Sequence, residues 1–199
     1  MTTVELIVIG GSAGALEPLL AIFGDLPDEL TIPIVVVMHL PPTRPSLIPD
    51  LAARVCRRPV QEAEDKLAMQ QSTIYVAPPN YHVLIERDRS LSLSTDPPVH
   101  FSRPSIDVLF ESAADSLGRG VAGLVLSGAS EDGARGLRRI HDVGGTAIVQ
   151  DPATASCSVM PAAARSRVGP DARVLAGAEL TDFLAALGGV MVANPGGSR

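Results

Sequence analysis

The feature that most constrains this chain is its opening. The aliphatic run Val4-Glu5-Leu6-Ile7-Val8-Ile9 passes directly into Gly10-Gly11-Ser12-Ala13-Gly14, and then into Ala15-Leu16-Glu17-Pro18-Leu19-Leu20-Ala21-Ile22-Phe23. The first run reads as a buried strand over 4–9. The third reads as a helix over 15–23, with Pro18 tolerated because it falls in the first turn. A second apolar run, Ile34-Val35-Val36-Val37-Met38, reads as a central strand ending at His39. Near-continuous apolar strands separated by helices mean strands buried on both faces. The fold class is therefore α/β: a doubly wound, mostly parallel sheet with helices on both faces. A chain of 199 residues with 46% hydrophobic content can bury such a core without disulfides or metals.

The middle of the chain departs from this rhythm. A strand is expected over 73–77. Runs at 82–86 and 91–95 flank the polar turn Arg87-Asp88-Arg89-Ser90 and read as a hairpin, an antiparallel excursion from the sheet. A helix follows over 105–117. Ser105 is placed to cap it, and Ile106, Leu109, Phe110 and Ala113 lie at helical spacing. The α/β rhythm resumes with a strand over 121–126, a glycine-bearing loop over 127–133, a helix over 134–143 stopped by Gly144-Gly145, a strand over 146–150 and a last helix over 179–191. No repeat or long linker divides the chain, so one domain over 1–193 is expected, followed by a flexible tail over 194–199.

Composition excludes several function classes. Aromatic content of 3%, with no Trp, leaves no stacking platforms for single-stranded nucleic acid, and a net charge of −6 opposes binding to a phosphate backbone. Cys56 and Cys157 lack metal-ligand spacing and form no disulfide framework, which fits a reducing compartment, the cytoplasm. The N-terminal residues lack a basic segment ahead of an apolar one, and no run reaches the roughly 20 apolar residues a bilayer requires. No membrane insertion, no metal and no organic cofactor are expected.

Ligands of open parallel sheets bind beyond the carboxyl ends of the strands. Three such ends carry polar residues with complementary chemistry: Ser12 after the first strand, His39 after the second, and Asp132 in the loop after the strand over 121–126. Gly10-Gly11-Ser12-Ala13-Gly14 satisfies G-x-S-x-G between a strand and a helix, the pattern of a nucleophile elbow. A serine hydroxyl needs a base, histidine suits neutral pH, and the base needs a carboxylate to fix its tautomer. The chain order Ser…His…Asp differs from the Ser…Asp/Glu…His of α/β-hydrolases. Taken singly, each residue has a plainer reading. Short G-x-S-x-G matches arise by chance, His39 could simply end a strand, and Asp132 before Gly133-Ala134 could cap its own helix. His82, His100 and His141 compete as bases, but His141 lies within a helix and the other two near the hairpin. Agreement of three candidates on one sheet edge favours chemistry. A dinucleotide-binding module is the rival from another class. However, Ser12 replaces the second glycine of G-x-G-x-x-G, and His39, not an acid, ends the second strand.

Several longer stretches carry a resemblance. Ile9-Gly10-Gly11-Ser12-Ala13-Gly14, Met38-His39-Leu40-Pro41, Glu62-Ala63-Glu64-Asp65, Tyr75-Val76-Ala77-Pro78, Arg103-Pro104-Ser105-Ile106-Asp107-Val108-Leu109-Phe110, Leu126-Ser127-Gly128-Ala129-Ser130-Glu131-Asp132-Gly133-Ala134, and Ala155-Ser156-Cys157 through Met160-Pro161 occur in order over nearly the whole chain. Together they resemble the catalytic domain of the chemotaxis protein-glutamate methylesterases, the CheB family. The resemblance implies hydrolysis of glutamate methyl esters, and deamidation of glutamines, on the cytoplasmic domain of methyl-accepting chemoreceptors. By motif, Ser12 is similar to the family's nucleophile, His39 to its base and Asp132 to its orienting acid. Backbone N–H groups of Ala13 and Ala129 correspond to its oxyanion hole, and Arg103 and Arg44 would steer an acidic receptor surface.

Departures from the family pattern are equally specific. Its S-T-G-G becomes Ser12-Ala13-Gly14-Ala15, its T-G-M-G becomes Ser127-Gly128-Ala129-Ser130, its G-M-P becomes Val159-Met160-Pro161, and the glycine after E-A-E-D becomes Lys66. Ser130 in place of glycine is expected to restrict φ and shift the neighbouring amide. These changes leave a second reading, a degenerate receptor-binding or scaffold protein of the same fold. With a strand starting near Val4, no receiver domain is expected ahead of this one. Regulation would then come from a separate receiver protein acting in trans, or be absent, or the sequence is a piece of a longer protein.

Overall fold

The computed structural model describes residues 3–40 and 45–189. Its main sheet has seven strands in the order β3-β4-β2-β1-β7-β8-β9. They are β1 (Leu6–Gly11), β2 (Ile34–Met38), β3 (Val60–Glu62), β4 (Ile74–Val76), β7 (Val121–Val125), β8 (Thr146–Gln150) and β9 (Arg173–Leu175). Every pairing in it is parallel. A separate antiparallel pair, β5 (His82–Ile85) and β6 (Leu91–Ser94), is the expected hairpin. The helices are α1 (Leu16–Asp25), α2 (Ile48–Ala52), α3 (Ile106–Leu117), α4 (Ala134–Asp142), α5 (Val159–Val168) and α6 (Ala178–Leu187). The doubly wound α/β class read from the sequence is the observed one.

Side chains along a strand alternate between faces, and β1 shows the consequence. Leu6 and Val8 join one buried cluster with Ile106, Leu109 and Phe110 of α3 and Leu137 and Ile140 of α4. Ile7 and Ile9 join the other, with Leu19, Ile22 and Phe23 of α1 and Leu180 and Leu184 of α6. All six residues of β1 are buried, which is why the opening run is apolar without alternation. The hairpin packs onto the α3 side through Val83, Ile85 and Leu91.

Element boundaries differ from expectation in instructive places. The first strand runs through Gly10 and Gly11, which pair with Val37 and Met38 of β2, rather than stopping at Ile9. Gly10 is required there: a Cβ would lie 2.2 Å from Ile106 Cγ2, so α3 packs directly on the end of β1. The last helix ends at Leu187 with Gly188 as its cap, short of the expected 191. The expected tail over 194–199 lies outside the described residues. Among the described residues, no helix is long and apolar enough to cross a membrane.

Candidate active site

The sheet order reverses direction between β1 and β7, so the crevice at their carboxyl ends is the topological switch point. The backbone there is knitted across three strands. Leu126 N–H donates to Gly10 O (2.8 Å), His39 N–H to Gly11 O (3.1 Å) and Ser12 N–H to Ser127 O (2.9 Å). Ser12 thus leaves β1 flanked by His39 on one side and Ser127 on the other. Gly14 then takes φ +77°, and a Cβ on it would lie 2.5 Å from Ser156 Cβ. Glycine alone accommodates both the conformation and the contact.

His39 and Asp132 meet: Nε2 lies 2.8 Å from Asp132 Oδ2. The imidazole is 13% exposed and the carboxylate fully buried. Asp132 does not cap the helix that follows it. Gly133 is the N-terminal flank of α4, and Asp132 turns instead to the start of α3. There it accepts Ile106 N–H (2.8 Å), Asp107 N–H (3.0 Å) and the Ser105 hydroxyl (2.9 Å). Burial by itself would raise the Asp132 carboxyl, but the His39 bond and the two amides outweigh it and hold the group below the ordinary carboxylate range. Asp132 is therefore an anion and acceptor. Its histidine partner donates Nε2–H, which leaves Nδ1 bare as the proton-accepting nitrogen.

The group that reaches Nδ1 is the Ser102 hydroxyl, at 3.4 Å. Among the described residues, no hydrogen bond joins the Ser12 hydroxyl to His39. Serine–base bonds in substrate-free sites are often long and tighten only in complexes. Ser102 was not singled out in the sequence; its only signal is its place just before Arg103-Pro104-Ser105.

Asp107 is the second acid that sequence reading passed over. It is fully buried on α3, and its Oδ1 accepts Gly133 N–H (3.0 Å) and Gly136 N–H (2.7 Å), the opening amides of α4. Asp132, ahead of α4, caps α3, while Asp107, within α3, caps α4. Burial, which outweighs the opposing Gly136 amide, pushes the Asp107 carboxyl above its usual range, and its Oδ2 has no hydrogen-bond partner. His100 Nε2 lies 3.3 Å from that oxygen and Arg135 Nε 3.7 Å from it. His100, set apart with the hairpin on sequence grounds, thus stands beside the acid cluster. His100, Asp107 and Asp132 bring ligand atoms within 4.8 Å of one another. The two Asp132 oxygens are already taken by four donors and a guanidinium faces Asp107, so the cluster is poorly suited to a cation.

The remaining candidates separate clearly. His82 Nδ1 accepts Ser105 N–H (3.1 Å) and its Nε2 donates to Pro97 O (3.2 Å), a buried structural imidazole. His141, on α4, faces Asp142 of the same helix and Asp171 beyond α5. Arg103 ties loops together through Asn80 Oδ1, Thr95 O and Asp96 O. Arg44 lies outside the described residues. The N–H groups of Ala13 and Ala129 donate to no acceptor among the described residues, and both residues are exposed. Behind them, the Ser127 hydroxyl donates to Ala13 O (2.7 Å) and accepts Cys157 N–H (2.8 Å), while Gln150 Oε1 takes Ser127 N–H (2.8 Å). These bonds fix the turn that carries Ser12 to the loop after β8.

A family model described as CheB methylesterase matches residues 7–184. The chain belongs to the CheB methylesterase family. It is 44% identical over 160 residues to a protein of Leptospira interrogans (serovar copenhageni) that is provisionally named a protein-glutamate methylesterase/protein-glutamine glutaminase, covering 80% of this chain and 83% of that one. A protein-glutamate methylesterase/protein-glutamine glutaminase 1 of Rhodospirillum rubrum is 36% identical over 179 residues, covering 86% of this chain but 45% of its own length. Among solved structures, the CheB methylesterase catalytic domain of Thermotoga maritima superposes with a TM-score of 0.87 at 26% identity, covering 94% of this chain and all of that one. Two family departures acquire a physical reading here. Lys66, where the family pattern has glycine, adopts φ +64°, the left-handed conformation that glycine takes freely. Ser130 is not among the residues with positive φ, and its hydroxyl accepts Asp132 N–H at 3.4 Å, so the exchange restrains the acid's own loop.

Proposed function

We propose that this chain hydrolyses the methyl esters of glutamyl side chains, and deamidates glutamines, on the cytoplasmic domain of a chemoreceptor, with Ser12 as nucleophile. The observation that carries the reading is the His39–Asp132 bond at the carboxyl end of the strand pair flanking Ser12. Asp132, kept ionised by the amides of α3, orients His39 so that Nδ1 is the free base. On substrate binding, Ser12 displaces Ser102 as the partner of Nδ1. Ser12 Oγ bonds to the ester carbonyl carbon while its proton passes to Nδ1. The resulting oxyanion accepts the N–H groups of Ala13 and Ala129. Protonated His39 is stabilised by Asp132 and returns the proton to the departing methoxide, which leaves as methanol. Water then adds to the acyl-serine with Nδ1 again taking the proton, and collapse restores Ser12 and frees the glutamate. With a glutamine the leaving group is ammonia. Every step uses protein groups and water. The reaction places the protein in the cytoplasm, where those receptor domains stand.

The test is methanol release from methylated receptor cytoplasmic domains by the wild type and by Ser12→Ala. Release by the wild type that falls about a thousandfold or more in the variant is the expected result. Folded wild-type protein that releases no methanol from several such domains overturns the reading in favour of a non-catalytic scaffold.

A further inference from the structure

Among the described residues, one large apolar side chain stands entirely in solvent: Phe101, 104% exposed. It sits in a two-residue turn closed at both ends, with Val99 N–H donating to Ser102 O (3.1 Å) and Ser102 N–H to Val99 O (2.9 Å). Both central residues are left-handed, His100 at φ +49° and Phe101 at φ +62°. Asn and Gly normally fill such turns, because a Cβ is disfavoured there. A strained turn persists only where its surroundings hold it, and these do. On one side of Phe101, the His100 imidazole lies 3.3 Å from Asp107 Oδ2. On the other, the Ser102 hydroxyl lies 3.4 Å from His39 Nδ1. The turn is pinned to the acid cluster and to the base, and holds an aromatic ring out between them.

Isolated exposed apolar residues need no explanation in general. This one is different because it is left-handed and both its chain neighbours contact the site. It is also not alone on this edge of the sheet. Leu16 opens α1 just after the Ser12 turn and is 37% exposed, and Val159 opens α5 just after the loop bonded to Ser127 and Gly128 and is 51% exposed.

We infer that Phe101 determines specificity for a helical protein substrate, packing against an apolar side chain one helical turn from the glutamyl ester. The inference rests on the esterase reading above and deepens it. A methyl ester offers few atoms to grip, so discrimination between a receptor glutamate and any other ester must come from contacts remote from the reacting carbon. On a helix, residues three and four positions apart share a face. A projecting ring beside the base meets such a neighbour when the ester reaches Ser12, and Leu16 and Val159 offer apolar surface along the same edge. The occupant is thus an amphipathic helix with an aliphatic residue at that spacing.

The experiment compares Phe101→Ala and Phe101→Leu with the wild type on two substrates, a methylated receptor cytoplasmic domain and p-nitrophenyl acetate. The readout is the ratio of the two kcat/KM values. In Phe101→Ala this ratio falls about 10- to 100-fold, the worth of one buried aromatic side chain, with the loss mainly in KM for the receptor domain. Phe101→Leu keeps most of the ratio. An unchanged ratio in Phe101→Ala, whether both rates hold or both fall together, overturns the inference and leaves the esterase reading standing. A wild type that cleaves p-nitrophenyl acetate but no receptor domain removes the receptor methyl ester as substrate and this inference with it.

Discussion

Asp132 shows how a buried carboxylate is kept charged. Two amides at the start of α3, the Ser105 hydroxyl and the His39 ring occupy its oxygens, and together they offset the desolvation that would otherwise neutralise it. Asp132→Asn tests both consequences. An asparagine cannot hold His39 in the same tautomer, so kcat should fall about 10³- to 10⁴-fold, read as methanol release. Because the folded-state pKa of Asp132 is depressed, its contribution to stability is present above the ordinary carboxylate range and is lost as pH falls through the folded value. Asp107 works in the opposite direction. Its raised pKa makes folding favour the protonated form, so its contribution grows as pH falls below that raised value. Urea unfolding from neutral to acidic pH should therefore show a shallower acid loss in Asp132→Asn than in the wild type; parallel curves would mean that the carboxylate is not held ionised by the fold. At this scale the sequence was informative about residue types and silent about bonding. Ser12, His39 and Asp132 could be picked out because each ends a strand or loop on one edge. That Ser102, not Ser12, reaches Nδ1 in this structure could not, because it depends on a turn whose two left-handed residues carry no glycine to mark them.

The helices α3 and α4 exchange caps. Asp132, one residue ahead of the flank of α4, accepts the first amides of α3, while Asp107 of α3 accepts the first amides of α4. Each carboxylate also meets the positive end of the helix it caps, a favourable placement. Sequence reading assigned Ser105 as a cap correctly, since Val108 N–H donates to its hydroxyl. It offered Asp132 as a cap for its own helix, since local spacing reveals only local caps; an exchange across 25 to 29 residues leaves no such trace. The exchange depends on α3 lying against the end of β1, where Ile106 covers Gly10. Gly10→Ala would place a Cβ 2.2 Å from Ile106 Cγ2, so the Ile106 side chain, or α3 with it, must shift. A loss of about 1–3 kcal/mol in unfolding free energy is expected, with a fall in esterase activity even where the protein remains folded. Unchanged activity and stability would show that α3 does not set the acid's position. Other elements were illegible for a simpler reason. β3 and β9 are three-residue edge strands carrying charged or polar residues, and α2 has five residues, too few for a periodic pattern to emerge.

Across the whole molecule, the order β2-β1-β7 places three strand ends side by side that are separated by long stretches of chain. The apolar runs and the Gly10–Gly14 turn were enough to predict the parallel sheet, and the sheet in turn explains why one edge collects the polar residues. Membership of the CheB methylesterase family and the superposition on the Thermotoga maritima domain agree with that architecture. The altered residues after Ser12 and before Asp132 leave the backbone N–H groups of Ala13 and Ala129 in place and without described acceptors. What the architecture leaves to chemistry is which serine attacks, for Ser12 and Ser102 both flank the His39–Asp132 pair. The most direct measurement is reaction of the protein with a fluorophosphonate serine probe, followed by peptide mass mapping of the adduct. The adduct is predicted on Ser12, and to disappear in His39→Ala. An adduct on Ser102, or labelling of Ser12 that is indifferent to His39, would contradict the assignment of Ser12 as a nucleophile activated by that base.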